Sequence, residues 1–303
     1  MQTVQTVAVI GCGTVGASWA ALFLAHGLDV QATDPSPQAE DYLRRFVARA
    51  SAQLAELGLT GTGRLGFSTR LADALDGAGF VQENAPEKEE LKQDLLAEID
   101  GLLPPDVIVA GSTSSLLRSR LVVKCRYPER HITAHPFNPP HLVPLVELVG
   151  ADDGVIERAA AFYRGIGRRP VILRREMAGH IANRLASAVW REAIYMVEQG
   201  VASVADIDAA MAYGPGLRWS IMGPHMTYHL GGGDGGIAHY LAHLGASQVR
   251  RWAALGTPAF NETTQQKLVE GVAEEAGNSS VAELEAARDA ALIAMLKLKP
   301  QIR

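Results

Sequence analysis

A histidine closing one apolar run and a glutamate inside the next are the pair in this chain best suited to chemistry. Residues 135–147 read His-Pro-Phe-Asn-Pro-Pro-His-Leu-Val-Pro-Leu-Val-Glu. The apolar runs 130–134 and 142–149 flank a proline-rich turn. If they are strands of one sheet, a hairpin-like reversal sets His135 opposite Glu147. A carboxylate behind an imidazole fixes its tautomer and raises its basicity, as a general base near neutral pH requires. On these residues alone, a water-facing strand-end glutamate beside a turn histidine fits equally well.

Such a pair needs a rigid frame, and the N-terminal half has the pattern of one. Residues 4–10 are strand-like and lead directly into Gly11-Cys12-Gly13-Thr14-Val15-Gly16, after which 17–26 read as a small, apolar helix ending at Gly27. A glycine string is weak evidence in a chain with 30 glycines. Its place between a strand and a helix gives it meaning. There Gly11, Gly13, Thr14, Val15 and Gly16 let the backbone approach a pyrophosphate at a helix N-terminus. Asp34 closes the next strand, 28–33, about 20 residues further on, where an acid binds ribose hydroxyls and repels a 2′-phosphate. The expected cofactor is NAD rather than NADP.

Strands and helices then alternate: helix 36–57, a short strand and helix within 67–76, strand 79–83, helix 88–101, strand 107–110, helix 155–166 and strand 170–174. This alternation predicts an α/β fold, a Rossmann-type doubly wound parallel sheet with ligands at the carboxyl ends of its strands. Asp34, Glu83, the hydroxyl run 112–115 and His135 fall at such ends. Each serine taken singly also reads as a helix cap. Near Met177 the pattern becomes helical throughout, which divides the chain into an NAD-binding domain, 1–177, and an all-helical C-terminal domain, 178–303. Within the second, a long helix spans 178–200, Ser203 caps a helix reaching Tyr213, 214–236 is rich in glycine and aromatics, and the last fifty residues form a charged amphipathic helix.

Composition narrows the class. The chain has 28 basic and 33 acidic residues, a net charge of −5, and no basic run, so neither nucleic acid nor a membrane surface is an expected partner. No apolar run reaches the roughly 20 residues of a membrane span. Cys12 and Cys125 are too few for a disulfide framework, and the expected location is the cytoplasm. His180, His225, His229, His239 and His243 lack a tight ligand pair with a carboxylate, so no metal is expected.

Taken together and in order, GCGTVG at 11–16, Asp34, ENAPE at 83–87, STSSL at 112–116, HPFNPP at 135–140, Glu147 and ANRL at 182–185 resemble the 3-hydroxyacyl-CoA dehydrogenase superfamily. The resemblance implies His135 as catalytic base, Glu147 as its partner, and Ser114 and Asn183 as polar contacts to the substrate oxygen. It assigns Glu83, Ser112 and Asn138 to the cofactor side, and implies that the helical domain binds substrate and forms a homodimer. The 214–236 region is similar to the short branch acting on free hydroxy acids such as L-carnitine and, more distantly, L-gulonate. Residues 35–66 hold Arg44, Arg45, Arg49 and Arg64 but no lysine, whereas CoA-specific members carry lysines there. A small free hydroxy acid is therefore the expected substrate and a 3-hydroxyacyl-CoA the alternative. Arg184, Arg191 and Arg218 are candidate partners for its carboxylate, and Trp190, Tyr195, Trp219 and Tyr228 for a quaternary ammonium. A non-catalytic NAD-binding structural protein is the third reading, opposed by the presence of both His135 and Glu147.

Replacing Asp34 with Ala is expected to weaken NAD binding and to relax discrimination against NADP. Dissociation constants for the two cofactors test this, and an unchanged ratio would take Asp34 out of the ribose site.

Overall fold

The computed structural model describes residues 4–298. It opens with β1 (Thr6–Ile10), α1 (Thr14–Ala25), β2 (Asp29–Thr33), α2 (Ala39–Glu56), β3 (Leu65–Ser68) and α3 (Leu71–Leu75). There follow β4 (Phe80–Glu83), α4 (Glu89–Leu102), β5 (Ile108–Gly111), α5 (Arg118–Leu121), β6 (His131–Pro136), β7 (Leu145–Val149), α6 (Asp153–Gly165) and β8 (Arg169–Ile172). The remaining elements are helices: α7 (Ala182–Glu198), α8 (Val204–Tyr213), α9 (Pro215–Trp219), α10 (Pro224–Leu230), α11 (Gly236–Ala254), α12 (Glu262–Ala276) and α13 (Val281–Leu298).

The eight strands form one sheet in the order β3-β2-β1-β4-β5-β6-β7-β8. All neighbours are parallel except β6 and β7, which run antiparallel. Strand alternation feeds two cores. Val7 and Val9 of β1 pack in one with α1, α2 and α6, and Ala8 and Ile10 in the other with α3 and α4. Burial on both faces is why these strands are continuously apolar. The Rossmann-type sheet followed by helices is as the sequence predicts, the antiparallel β6–β7 step is the hairpin-like reversal read from residues 130–149, and β8, parallel to β7, is the further strand that runs against the rest.

Contacts divide the chain into two units. One runs through Asn183 and includes Ala291–Lys297, and the other contains Arg184–Ala290. Two helices differ from expectation. The helix expected from 178 starts at Ala182, because Gly179 and His180 have φ of +76° and +49°, outside helical geometry. The expected single C-terminal helix is broken at Gly277, whose φ of +58° ends α12 before α13 begins, and its last five residues lie outside the described ones. Ser203 does cap α8, its hydroxyl accepting from the Asp206 amide at 3.1 Å.

Beneath the strand ends lies a fully buried ion pair. Lys92 Nζ donates to both oxygens of Glu83 at 2.8 and 3.0 Å, each side chain 1% exposed. Removing one partner strands the other charge in the interior. Lys92→Ala is therefore expected to cost about 3–5 kcal/mol of stability in urea denaturation.

Candidate active site

The antiparallel register sets His135 directly opposite Glu147. Alternation along β6 sends Ile132 and Ala134 into the α1-side core, so His131, Thr133 and His135 face the other way. His135 Nδ1 lies 2.9 Å from Glu147 Oε2. Both side chains are buried. Glu147 Oε1 accepts from the backbone amides of Ile181 and Ala182 at 2.8 and 3.0 Å. An ionised carboxylate only accepts, so the hydrogen sits on Nδ1 and leaves Nε2 as the basic nitrogen. Burial pushes the Glu147 carboxyl up, but the His135 bond and the two amides outweigh it and hold the group below its ordinary value.

The loop after β6 is pinned from several sides. Ser18 Oγ meets His141 Nδ1 at 2.7 Å, and His141 Nε2 meets Gln53 Oε1 at 2.8 Å. Arg168 Nη1 donates to the Pro140 carbonyl at 2.9 Å. Asn138 stands exposed on this loop.

At the carboxyl ends of β1 and β2 the glycines have distinct tasks. Gly11 has φ +84°, and a Cβ there would sit 2.8 Å from the Asn84 carbonyl. Gly13 faces open space and opens α1 with no side-chain cap and no acid in the first turn. The first amides of α1, from Thr14, Val15 and Gly16, thus form a positive end without a competing side chain. Asp34 is half-buried, its carboxylate accepting from the Cys12 and Ser36 amides at 3.0 Å each. An uncapped helix start beside an anchored acid fits a dinucleotide, with phosphates at the amides and a ribose at Asp34. The Cys12 thiol is pushed up to about 12 by burial and the Asp34 charge, so it is a small filler and not a nucleophile.

Glu83, expected on the cofactor side, is fully buried at the end of β4. Its carboxylate is turned inward to Lys92 and also accepts from the Ala85 amide at 2.6 Å, which makes it an anchor of the strand end. Its neighbour Asn84, which charge-based reading passes over, joins three strand ends: Nδ2 donates to the Ile10 and Gln82 carbonyls at 3.2 and 2.9 Å, and Oδ1 accepts from Ser112 Oγ at 2.8 Å. Glu87, also inside the ENAPE string, gathers the hydroxyl run. One oxygen accepts from Thr113 Oγ1 at 2.6 Å and from the Ser114 and Ser115 amides at 3.0 Å each. The Ser114 hydroxyl meets that oxygen only at 3.5 Å. Asn183 stands in the first turn of α7, next to the Ala182 amide that holds Glu147. The structure thus gathers His135, Glu147, Ala182 and Asn183 in one place, and Ser112 and Ser114 on one loop.

Two family models match the chain: 3-hydroxyacyl-CoA dehydrogenase, NAD binding domain, over residues 6–177, and 3-hydroxyacyl-CoA dehydrogenase, C-terminal domain, over residues 179–275. The chain belongs to the 3-hydroxyacyl-CoA dehydrogenase family. It is an NAD-dependent oxidoreductase. This family member is 44% identical to the L-carnitine dehydrogenase of Nocardiopsis dassonvillei over 99% of its own length and 93% of the relative's. It is also 44% identical to that of Pseudomonas aeruginosa, over 97% and 93% of the two chains. Among solved structures it resembles 5-formyl-3-hydroxy-2-methylpyridine 4-carboxylic acid 5-dehydrogenase, an NAD-dependent dismutase, with a TM-score of 0.84 and 28% identity over 99% and 100% of the chains. It resembles the 3-hydroxybutyryl-CoA dehydrogenase of Escherichia coli K12 with a TM-score of 0.68 and 30% identity over 89% and 57%.

In the helical unit, two of the four aromatics expected to surround an ammonium group pack against other rings. Trp190 meets Phe260, with ring centroids 6.3 Å apart, and Tyr228 meets Tyr240 at 5.0 Å. Tyr195 packs against Gly256, Trp219 is half-buried at the end of α9, and Arg184, Arg191 and Arg218 are exposed. Among the described residues no three His, Cys, Asp or Glu side chains converge as a metal set.

A lowered carboxyl stabilises the fold above its unfolded value, and that contribution is lost as pH falls through the folded value. Glu147→Gln is therefore expected to be less stable than the parent by about 1–3 kcal/mol at neutral pH. The gap should close as pH drops below about 4, a trend that urea denaturation at several pH values will read.

Proposed function

We propose that this dehydrogenase oxidises the secondary alcohol of a small free L-3-hydroxy acid, L-carnitine foremost, to the 3-keto acid. Near-full-length likeness at 44% identity to L-carnitine dehydrogenases carries the choice of substrate. The buried His135–Glu147 pair supports the chemistry. His135 Nε2 takes the hydroxyl proton, and the imidazolium so formed is neutralised through Nδ1 by Glu147. Ser114 and Asn183 donate to the substrate oxygen, where negative charge develops. The amides at the start of α1 and the Asp34 carboxylate hold the cofactor. Bound NAD accepts the hydride from the carbinol carbon.

A 3-hydroxyacyl thioester is the second reading, favoured by the family description and the likeness to 3-hydroxybutyryl-CoA dehydrogenase. Two of the arginines on α2 that a CoA phosphate would need are engaged: Arg44 pairs with Glu40 at 2.7 Å and Arg49 lies over the Phe46 ring. A homodimer is supported by the apolar surface of the helical unit, where Leu185, Trp190, Leu217, Ile221, Leu241 and Trp252 are more than half exposed. No described helix is long and apolar enough to cross a membrane. Cytoplasmic placement is favoured by two cysteines that are both free.

Formation of NADH at mildly alkaline pH from L-carnitine, D-carnitine, L-gulonate, L-3-hydroxybutyrate and 3-hydroxybutyryl-CoA separates the readings. Activity on a free acid with the thioester inert is expected, and activity confined to the thioester would overturn the proposal. His135→Gln should lower kcat by about 10²–10⁴-fold while NAD affinity, measured by fluorescence titration, is retained.

A further inference from the structure

Among the described residues His180 is the one non-glycine with positive φ, at +49°, directly after Gly179 at +76°. Left-handed backbone disfavours any residue with a Cβ, although histidine and asparagine tolerate it better than most. Glycine would be the less strained choice, so the imidazole needs a reason. Its ring is buried. Nε2 donates to the Thr113 carbonyl at 3.1 Å. The ring lies against that of His135, with centroids 4.9 Å apart and planes tilted by 33°. Because a carbonyl only accepts, the hydrogen is on Nε2, and Nδ1 is a buried lone pair without a partner. The next two amides, of Ile181 and Ala182, are those that hold Glu147.

We infer that His180 is a second imidazole of the centre, a positioning residue that covers one side of His135 and stays uncharged while His135 carries the proton. The inference rests on His135 being the base. Two cationic rings 4.9 Å apart in a buried site repel, so the pair takes up one proton well before a second. The Glu147 carboxylate bonds the His135 ring, whereas His180 Nδ1 meets no acceptor, so a positive charge is balanced on His135 and not on His180. Burial, and with it the charge on His135, holds His180 below the ordinary imidazole range; the Thr113 carbonyl, Glu147 and Glu87 pull the other way without prevailing. The proton leaving the substrate therefore has one destination, and the tethered neighbour limits how far the base can swing from Glu147.

Histidine labelled with carbon-13 at Cε1 lets both rings be titrated by NMR in the full chain without substrate. His135→Gln and His180→Asn assign the two signals, asparagine being chosen because it accepts the left-handed backbone. In the parent, His180 should stay neutral until the pH falls below the ordinary imidazole range. In His135→Gln its midpoint should rise by at least about half a pH unit, roughly a threefold gain in proton affinity. The same His180 midpoint with and without His135 overturns the inference. In turnover, His180→Asn should lower kcat about tenfold or more while NAD affinity stays within about twofold, and an unchanged kcat overturns the positioning role. If the parent oxidises no hydroxy acid, the functional reading fails, while the NMR midpoints still decide whether the two rings are coupled.

Discussion

A carboxylate taken out of water must have its oxygens satisfied, and the centre of this protein is arranged around that requirement at Glu147. One oxygen takes the His135 ring and the other takes the first two amides before and within α7. A single side chain thereby ties together two antiparallel strands and the start of a helix. The same bonds keep the carboxyl ionised despite its burial, and that ionisation gives the imidazole its tautomer and its basicity. The strand pairing, the helix start and the imidazole tautomer rest here on one charge.

Two more carboxylates serve the strand ends in the same manner. Glu83 is neutralised by Lys92 beneath β4, and Glu87 collects the hydroxyl and amides of the 113–115 turn. Glu83 is closed off inside its ion pair, whereas Glu87 is exposed and commits one of its two oxygens to the turn. What they supply is rigidity, since the loops after β4 and β5 are fixed by charge-assisted hydrogen bonds instead of by their own short sequences. On that fixed rim the uncapped start of α1 and the Asp34 carboxylate remain as the groups that suit a dinucleotide. Burying the Glu83 and Lys92 charges costs desolvation energy, and their mutual pairing is what makes it tolerable.

The left-handed turn at Gly179 and His180 leads from β8 into α7 and presents the amides that hold Glu147. It delays the helix by four residues relative to the apolar pattern, and the delay is what aims two free amides at Glu147. Local propensity favoured an earlier start. The buried carboxylate and the Thr113 carbonyl together outweigh it, because unpaired buried polar groups cost more than one strained backbone position.

By itself the sequence determined the alternation of strands and helices and the glycine turn with its acid, because periodicity of two and the φ freedom of glycine act over a few residues, while it left the facing of His135 and Glu147 open until the antiparallel register decided it. It also determined the cap at Ser203 for the same local reason. Only the tertiary structure decided that Glu83 turns inward while Asn84 joins the strand ends, that Glu87 owns the hydroxyl run, and that His180 lies against His135. The pairing of Trp190 and Tyr228 with Phe260 and Tyr240 was equally out of reach. Each depends on a partner between 9 and 74 residues away. Residue type announces that a polar or aromatic group must find a partner, but the chain path alone chooses which one.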